Sequence, residues 1–310
     1  MRGNYPKIKI TSQQAESIVY ELFGKKGMAH ALPGELDFNF RIDSKGKKYL
    51  LKVGRPDANQ EYLEFQQAIL HHVAESNQEI ISPVPLPDLH GNYISDIKDN
   101  SGNIRKVRLL TWVEGRVWSG VNPVSNNLLF SLGEEAGRLS LALQGFEHPL
   151  AHRGFEWDVA RAGWISKYEH LFTGEKLEIL QYFQEQFSSL QKPYGRLRKS
   201  VVHNDVNDNN VVVTDQLKDP GVRAIIDYGD AVHTQIINDL AITIAYAVMG
   251  FPDPLSAACQ VVKGYHSQFP LLEKELTMLH VLVAMRLAIS VTKSAINRQK
   301  EPDNEYLLIS

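Results

Sequence analysis

Two short acidic segments, residues 201–210 and 224–230, constrain this chain more than any other feature. The first reads Val-Val-His-Asn-Asp-Val-Asn-Asp-Asn-Asn and the second Ala-Ile-Ile-Asp-Tyr-Gly-Asp. Between them, Val211, Val212 and Val213 form a β-branched run that favours a strand. Asp219-Pro220-Gly221 is a turn signal, and residues 222–226 are a second apolar run. An antiparallel hairpin puts the start of its first strand beside the end of its second. The spacing therefore predicts Asn210 and Asp227 side by side at one end of a hairpin.

A carboxylate and an amide oxygen held together suit magnesium, a hard cation that prefers oxygen ligands. Asp205 precedes Asn210 on the loop entering the hairpin, where it can face a substrate hydroxyl beside phosphates. A His-x-Asp triplet alone is common, His203 alone reads as a core histidine, and Asp-x-Gly-Asp alone is usually a turn. His203, Asp205 and Asn210 in register with a strand pair that ends at Asp227 is a far rarer combination. It follows the logic of phosphoryl transfer, with Asp205 as base, Asn210 and Asp227 as magnesium ligands and His203 as structural support.

The chain has 310 residues, enough for a sizeable core and two lobes. Hydrophobic residues make up 43% and charged residues 22%, ordinary values for a globular enzyme. A net charge of −3 gives no basic field for nucleic acid. The one cysteine, Cys259, excludes an internal disulfide framework and fits a reducing, cytoplasmic setting. The first residues lack the apolar stretch of a signal peptide, and no run of eighteen apolar residues suggests a membrane span.

Residues 11–23 read as a helix capped by Thr11-Ser12, with Ala15, Ile18, Val19, Leu22 and Phe23 as its stripe. Residues 28–42 and 48–53 read as strands around a turn at Asp43-Ser44-Lys45-Gly46. A helix over 59–75 follows, and strands recur near Tyr93-Ile94 and over 107–113. Everything after about Glu114 reads as helical apart from the hairpin. The expected fold is α+β: a small antiparallel-sheet lobe over 1–113, a hinge near 109–115, and a mostly helical lobe over 114–310. Ligands favour the cleft such a division creates.

Lys52, in an apolar strand, matches the lysine that holds nucleotide phosphates; on its own it reads as an exposed strand residue. Glu61 and Glu64 on the next helix can each pair with it, and Glu64, between Leu63 and Phe65, is favoured. The slot for a phosphate-covering loop holds residues 32–40 with one glycine, Gly34, and with Glu35 and Asp37 adding negative charge. Residues 109–115 form the expected hinge, where the backbone of Thr111 and Val113 can pair with a base without revealing ATP or GTP. Asp239 opens an apolar helix, where it can cap the helix and also anchor the catalytic loop, two compatible structural roles.

With these parts in order, the chain resembles the aminoglycoside phosphotransferase and choline kinase superfamily. The matching residues are Lys52, Glu64, His203-Asn204-Asp205 through Asn210, Asp227 with Gly229-Asp230, and Asp239-Leu240-Ala241. Within that superfamily it is most similar to hydroxylysine-kinase-like proteins and to the kinase-like modules that open some class-III aminotransferase fusions. Leu32-Pro33-Gly34 with Asp37 and Asn39-Phe40, Arg108-Leu109-Leu110-Thr111, and Asn304-Glu305-Tyr306-Leu307-Leu308 support the narrower match. The resemblance implies a bilobal protein-kinase-like fold and magnesium-dependent transfer of a γ-phosphoryl group from ATP or GTP to a small-molecule hydroxyl. Asn204 replaces the commoner glycine of the triplet, and Tyr228 stands where many relatives have Phe or Trp. The abrupt end at Leu308-Ile309-Ser310 suits a module of a longer chain.

The acceptor is the least constrained part. Glu156-Trp157-Asp158 and Trp164 can hold an ammonium group by charge and cation–π contact, or can simply start a helix. Arg286, alone on an apolar helix, binds either a substrate carboxylate or an internal acid. If both functional readings hold, the acceptor is a hydroxylated amino acid or amino alcohol. Only eleven residues separate Asp227 from Asp239, too few for the peptide-docking segment of a protein kinase. The rival from another class is a nucleotide-binding pseudokinase that regulates a larger enzyme.

Overall fold

The computed structural model describes residues 10–34, 37–76 and 79–300. Glu35, the 304–308 stretch and both chain ends lie outside the described residues. The chain divides into two compact units, one of residues 1–75 and 82–114, the other of 76–81 and 115–310.

In the first unit, α1 (Ser12–Phe23) starts at a capping box in which Thr11 and Gln14 satisfy each other's backbone N–H groups. Its stripe of Ala15, Val19 and Phe23 packs with Phe40, Ile42, Leu51, Val53 and Leu109 of an antiparallel sheet. The strands are β1 (Met28–Leu32), β2 (Phe38–Ser44), β3 (Lys47–Val53), β4 (Pro85–Leu86), β5 (Ser95–Lys98) and β6 (Ile104–Thr111). Their order is β1-β2-β3-β6-β4, with β5 also paired to β6. Helix α2 (Gln60–Glu75) joins β3 to β4 along the chain. Lys45 and Gly46, both at positive φ, close the β2–β3 hairpin.

Two strand readings change. Residues 28–42 form two strands, because the chain reverses between Leu32 and its antiparallel partner Asn39. Pro33, which lacks a ladder N–H, sits at that break. The strand expected near Tyr93-Ile94 begins at Ser95. It follows the first of two turns of the same form, Asp88 with Asn92 and Asp99 with Asn103, in which the aspartate accepts backbone N–H groups.

The second unit contains β7 (Arg116–Val117), β8 (Lys199–Val202), β9 (Val211–Val213), β10 (Val222–Ile225) and β11 (Val232–Gln235). Its helices are α3 (Asn126–Ala142), α4 (Glu175–Tyr194), α5 (Ile237–Ala247), α6 (Pro254–Gln268) and α7 (Glu273–Lys300), with a 3-10 segment at Val159–Leu171. The expected hairpin forms: β9 and β10 pair antiparallel, Val211 opposite Ile225. The β8–β11 ladder was not anticipated, since its strands are some thirty residues apart and only four residues long. Helix α7 is long and apolar enough to cross a membrane by length and composition, yet it packs against α4, α5 and the 3-10 segment.

Helices α3 and α6 approach so closely that side chains are excluded. A Cβ on Gly133 would lie 2.0 Å from Val261 O, and one on Gly264 would lie 2.0 Å from Phe130 O. Helix α3 also supports the hairpin, because Ser131 Oγ accepts the Val222 N–H at 2.9 Å.

Glu135 of α3 is 4% exposed; its Oε2 accepts a bond from Arg138, and its Oε1 has no partner among the described residues. Burial pushes this carboxyl up to about 7, against the pull of Arg138. A folded-state value above the unfolded value of 4.5 penalises the ionised form. The penalty is absent below pH 4.5 and complete once pH passes about 7. Glu135→Gln is therefore expected to stabilise the protein at pH 8, by about 3–4 kcal/mol from roughly 1.4 kcal/mol per pKa unit, and to do little at pH 4.5. Thermal melts at the two pH values check it.

Candidate active site

Strand β8 ends at Val202, and the chain turns through His203 and Asn204, both fully buried. Asn204 has φ 66°, a left-handed conformation that asparagine tolerates better than most residues and glycine adopts freely. Glycine would meet the same backbone requirement without a side chain. The turn is held by Asp239 in the first turn of α5. Its Oδ1 accepts the Asn204 N–H at 2.7 Å and its Oδ2 the His203 N–H at 3.3 Å. Asp239 does not cap α5; Ile236 occupies that position. Burial raises the Asp239 carboxyl to about 6, against these two bonds.

His203 ties this loop to the hairpin. Its Nδ1 accepts the Asp205 N–H at 3.3 Å, and its Nε2 lies 3.1 Å from Ile226 O. That pattern is the neutral tautomer with the proton on Nε2. Burial pushes the imidazole down to about 4. Tyr228 packs edge-on against the ring, with centroids 4.8 Å apart, and its hydroxyl has no partner among the described residues.

Asp205 receives three donors. Arg286 Nη2 is 3.0 Å from Oδ1, while Asn207 Nδ2 and Asn210 Nδ2 are 3.0 and 2.8 Å from Oδ2. Burial raises this carboxyl, Asp230 and Asp227 add to the rise, and Arg286 and Asn207 oppose it. Three donors with no acceptor describe a carboxylate.

Asn210 Nδ2 also donates to the Asp205 carbonyl at 2.9 Å, so the amide oxygen is turned away from Asp205. The Ile226 N–H donates to Asn210 O at 2.8 Å and joins the two loops where the hairpin ends. Asp227 follows at φ 66°, exposed, with its Oδ1 accepting the Gly229 N–H at 3.2 Å. One carboxylate and one amide oxygen fit a magnesium ion that takes its other ligands from water and phosphates. Among the described residues there is no cluster of three or more His, Cys, Asp or Glu side chains suited to a metal.

In the first unit, Lys52 is half-buried, paired in register with Asn39 on β2 and Arg108 on β6. Glu64 is not in the buried part of α2. Leu63 and Phe65 are buried, but Glu61 and Glu64 are exposed, and Glu64 accepts a bond from Gln60 at 2.9 Å. Buried Arg108 instead reaches α2, donating to Gln66 at 2.8 Å, and lies 3.4 Å from Asp37. Gly34 is enclosed; a Cβ there would lie 2.4 Å from Asp37 O. At the hinge, the Thr111 N–H is taken by Val84 O, and Thr111 Oγ1 accepts the Val84 N–H, each at 2.9 Å. Thr111 therefore has no main-chain donor left for a base. Val113 makes no backbone hydrogen bond among the described residues.

The acceptor-binding candidates separate. Asp158 is 3% exposed and caps the 3-10 segment, accepting from Ala160 N–H, Thr234 Oγ1 and Asn238 Nδ2. It borders a cavity of about 390 Å³ also lined by Arg161, Tyr194, Lys199, His233 and Gln235, and Asp205 is not in that lining. The ammonium-binding expectation for Asp158 thus gives way to a capping role. Arg286 takes the second of its two expected partners, an internal acid, and the ring of Trp157 stacks 4.8 Å from its guanidinium. Glu156 pairs with Lys293 of α7, which lies over the Trp164 ring. Lys293, Tyr246 and Asn207 escaped the sequence reading. Lys293 was detectable as the residue seven positions after Arg286, on the same face of one helix.

This fold and this constellation define a small-molecule kinase. Residues 29–271 match the phosphotransferase enzyme family, and the chain belongs to it. Hydroxylysine kinase of Mus musculus is 28% identical over 329 residues, spanning 97% of this chain and 86% of its own. The Danio rerio hydroxylysine kinase is also 28% identical, spanning 98% and 89%. Two solved structures share the fold. A microcompartment-associated aminopropanol kinase has a TM-score of 0.70 at 17% identity, over 94% of this chain and 98% of its own. Amicoumacin kinase in complex with AMP-PNP, Ca2+ and Ami has a TM-score of 0.69 at 15% identity, over 96% and 91%.

Asp239→Ala is expected to leave two buried N–H groups without acceptors, at about 1–3 kcal/mol each. A lower melting temperature together with faster amide exchange over residues 203–205 is the expected result. Tyr228→Phe, by contrast, is expected to melt at the same or a higher temperature, because it removes a buried hydroxyl that has no partner.

Proposed function

We propose that this kinase uses magnesium and the γ-phosphoryl group of ATP or GTP to phosphorylate a hydroxylated amino acid or amino alcohol. The observation that carries the reading is the Asp205 carboxylate, held by three donors next to an asparagine whose amide oxygen is turned outward. Asp205 orients the acceptor hydroxyl and takes its proton. Asn210 and Asp227 hold magnesium, which when bound neutralises charge on the phosphates. Lys52 in the first unit contacts phosphate oxygens, and the Val113 backbone pairs with the base. Little covalent chemistry is asked of the protein, so catalysis is mostly positioning and charge neutralisation.

Support for the acceptor class comes from two sides. The relatives are named for hydroxylysine and aminopropanol, which both carry an amine and a hydroxyl. In this chain the Glu156 carboxylate, Lys293 and the Trp157 and Trp164 rings offer partners for an ammonium and a carboxylate group.

The test is release of nucleoside diphosphate with ATP and GTP separately, across hydroxylated amino acids, amino alcohols, choline-like compounds and aminoglycosides. Hydroxylysine or a related amino alcohol is expected to drive release. Asp205→Ala is expected to keep magnesium–nucleotide binding and lose transfer, at least about 100-fold. Asp227→Ala is expected to weaken metal-dependent nucleotide binding. Normal turnover in Asp205→Ala would remove the base assignment; nucleotide binding without release on any acceptor would point to a regulatory module.

A further inference from the structure

Arg286 is the largest fully buried side chain among the described residues, 1% exposed in the middle of α7. Its Nη1 donates to Trp157 O at 3.0 Å, and its Nη2 donates to Asp205 Oδ1 at 3.0 Å and Tyr246 OH at 3.2 Å. The rings of Trp157 and Tyr246 lie 4.8 and 5.5 Å from the guanidinium carbon. The guanidinium is a rigid planar fork, so these contacts fix the direction from which it meets Asp205. Its charge is already matched by that carboxylate.

A carboxylate offers about four lone-pair directions. Asn207 and Asn210 occupy the two on Oδ2, and Arg286 occupies one on Oδ1. One direction on Oδ1 remains.

We propose that Arg286 is a positioning residue for the transfer step: it fixes the Asp205 carboxylate so that the acceptor hydroxyl meets Oδ1, and it does not bind the acceptor's carboxylate. The inference rests on the reading of Asp205 as the group that receives the hydroxyl. In the step itself the acceptor oxygen forms its bond to the γ-phosphorus and the bond from that phosphorus to the leaving nucleoside diphosphate breaks. The hydroxyl proton passes to Asp205 Oδ1.

The experiment uses the full chain with hydroxylysine, magnesium and ATP. Arg286→Lys and Arg286→Ala are expected to lower kcat about 10-fold and 100-fold, as small misplacements of a reacting group do. KM for hydroxylysine and for nucleotide stays within about threefold of wild type. Added guanidinium ion at millimolar concentration is expected to restore part of the Arg286→Ala turnover saturably and to leave Asp205→Ala inactive. Tyr246→Phe, which removes one acceptor from the guanidinium, is expected to lower kcat several-fold at unchanged KM, and it serves if Arg286→Ala does not fold. Independently of any acceptor, amide exchange over residues 203–210 is expected to quicken in Arg286→Lys.

A hydroxylysine KM raised tenfold or more with kcat intact overturns the inference, as does an unchanged kcat in Arg286→Lys or Tyr246→Phe. A folded Arg286→Ala that guanidinium does not restore also overturns it. If hydroxylysine is not phosphorylated, the exchange measurement decides, and equal protection overturns the inference. Asp205→Asn separates the two levels. If it still turns over, the base reading fails; if it is dead while Arg286→Lys is normal, only the positioning role fails.

Discussion

The arrangement of the second unit turns on one buried carboxylate. Strand β11 ends opposite the start of β8, and the helix that follows β11 turns back toward the residues that leave β8. Asp239 sits at the start of that helix and accepts the two N–H groups that the turn after β8 leaves without ladder partners. Such groups are costly to bury unpaired. Once they are satisfied, Asn204 can sit at φ 66° and Asp205 leaves the turn in a fixed direction. Everything the site does with Asp205 depends on that anchor.

A second set of bonds runs across to the hairpin. His203 contacts Ile226 O on one side and the Asp205 N–H on the other, while the Ile226 N–H meets Asn210 O. The base candidate and both metal-ligand candidates are thus connected through four backbone groups and one neutral imidazole. Keeping that imidazole neutral, as its burial does, preserves one donor and one acceptor on the ring. A protonated ring would present two donors, and the Asp205 N–H would lose its partner.

What was legible in the sequence was local. The β9–β10 hairpin, its turn and the bond from the Ile226 N–H to Asn210 O lie within a single short segment where β-branched runs and a turn signal decide the outcome. The cap of α1 was legible for the same reason. Arg286 was recognisable as a buried charge, but its partner Asp205 is 81 residues away, and no periodicity carries that information. Glu64 lies outside the buried part of α2 because neighbours in sequence point in different directions around a helix. The Thr111 N–H is taken by Val84 and the Asp158 carboxylate by the start of the 3-10 segment, partners that spacing does not reveal. Residues 28–42 misread because apolar residues on both sides of Pro33 mimic one continuous strand.

The contact between α3 and α6 reaches further than its place in the core suggests. Gly133 and Gly264 let the two backbones touch, and two residues before Gly133 on the same helix Ser131 grips the first residue of β10. The Val222 end of that hairpin is thus tied to α3, whose distance from α6 is fixed by two missing side chains. Two omitted methyl groups therefore set the depth of the helix that carries one end of the strand.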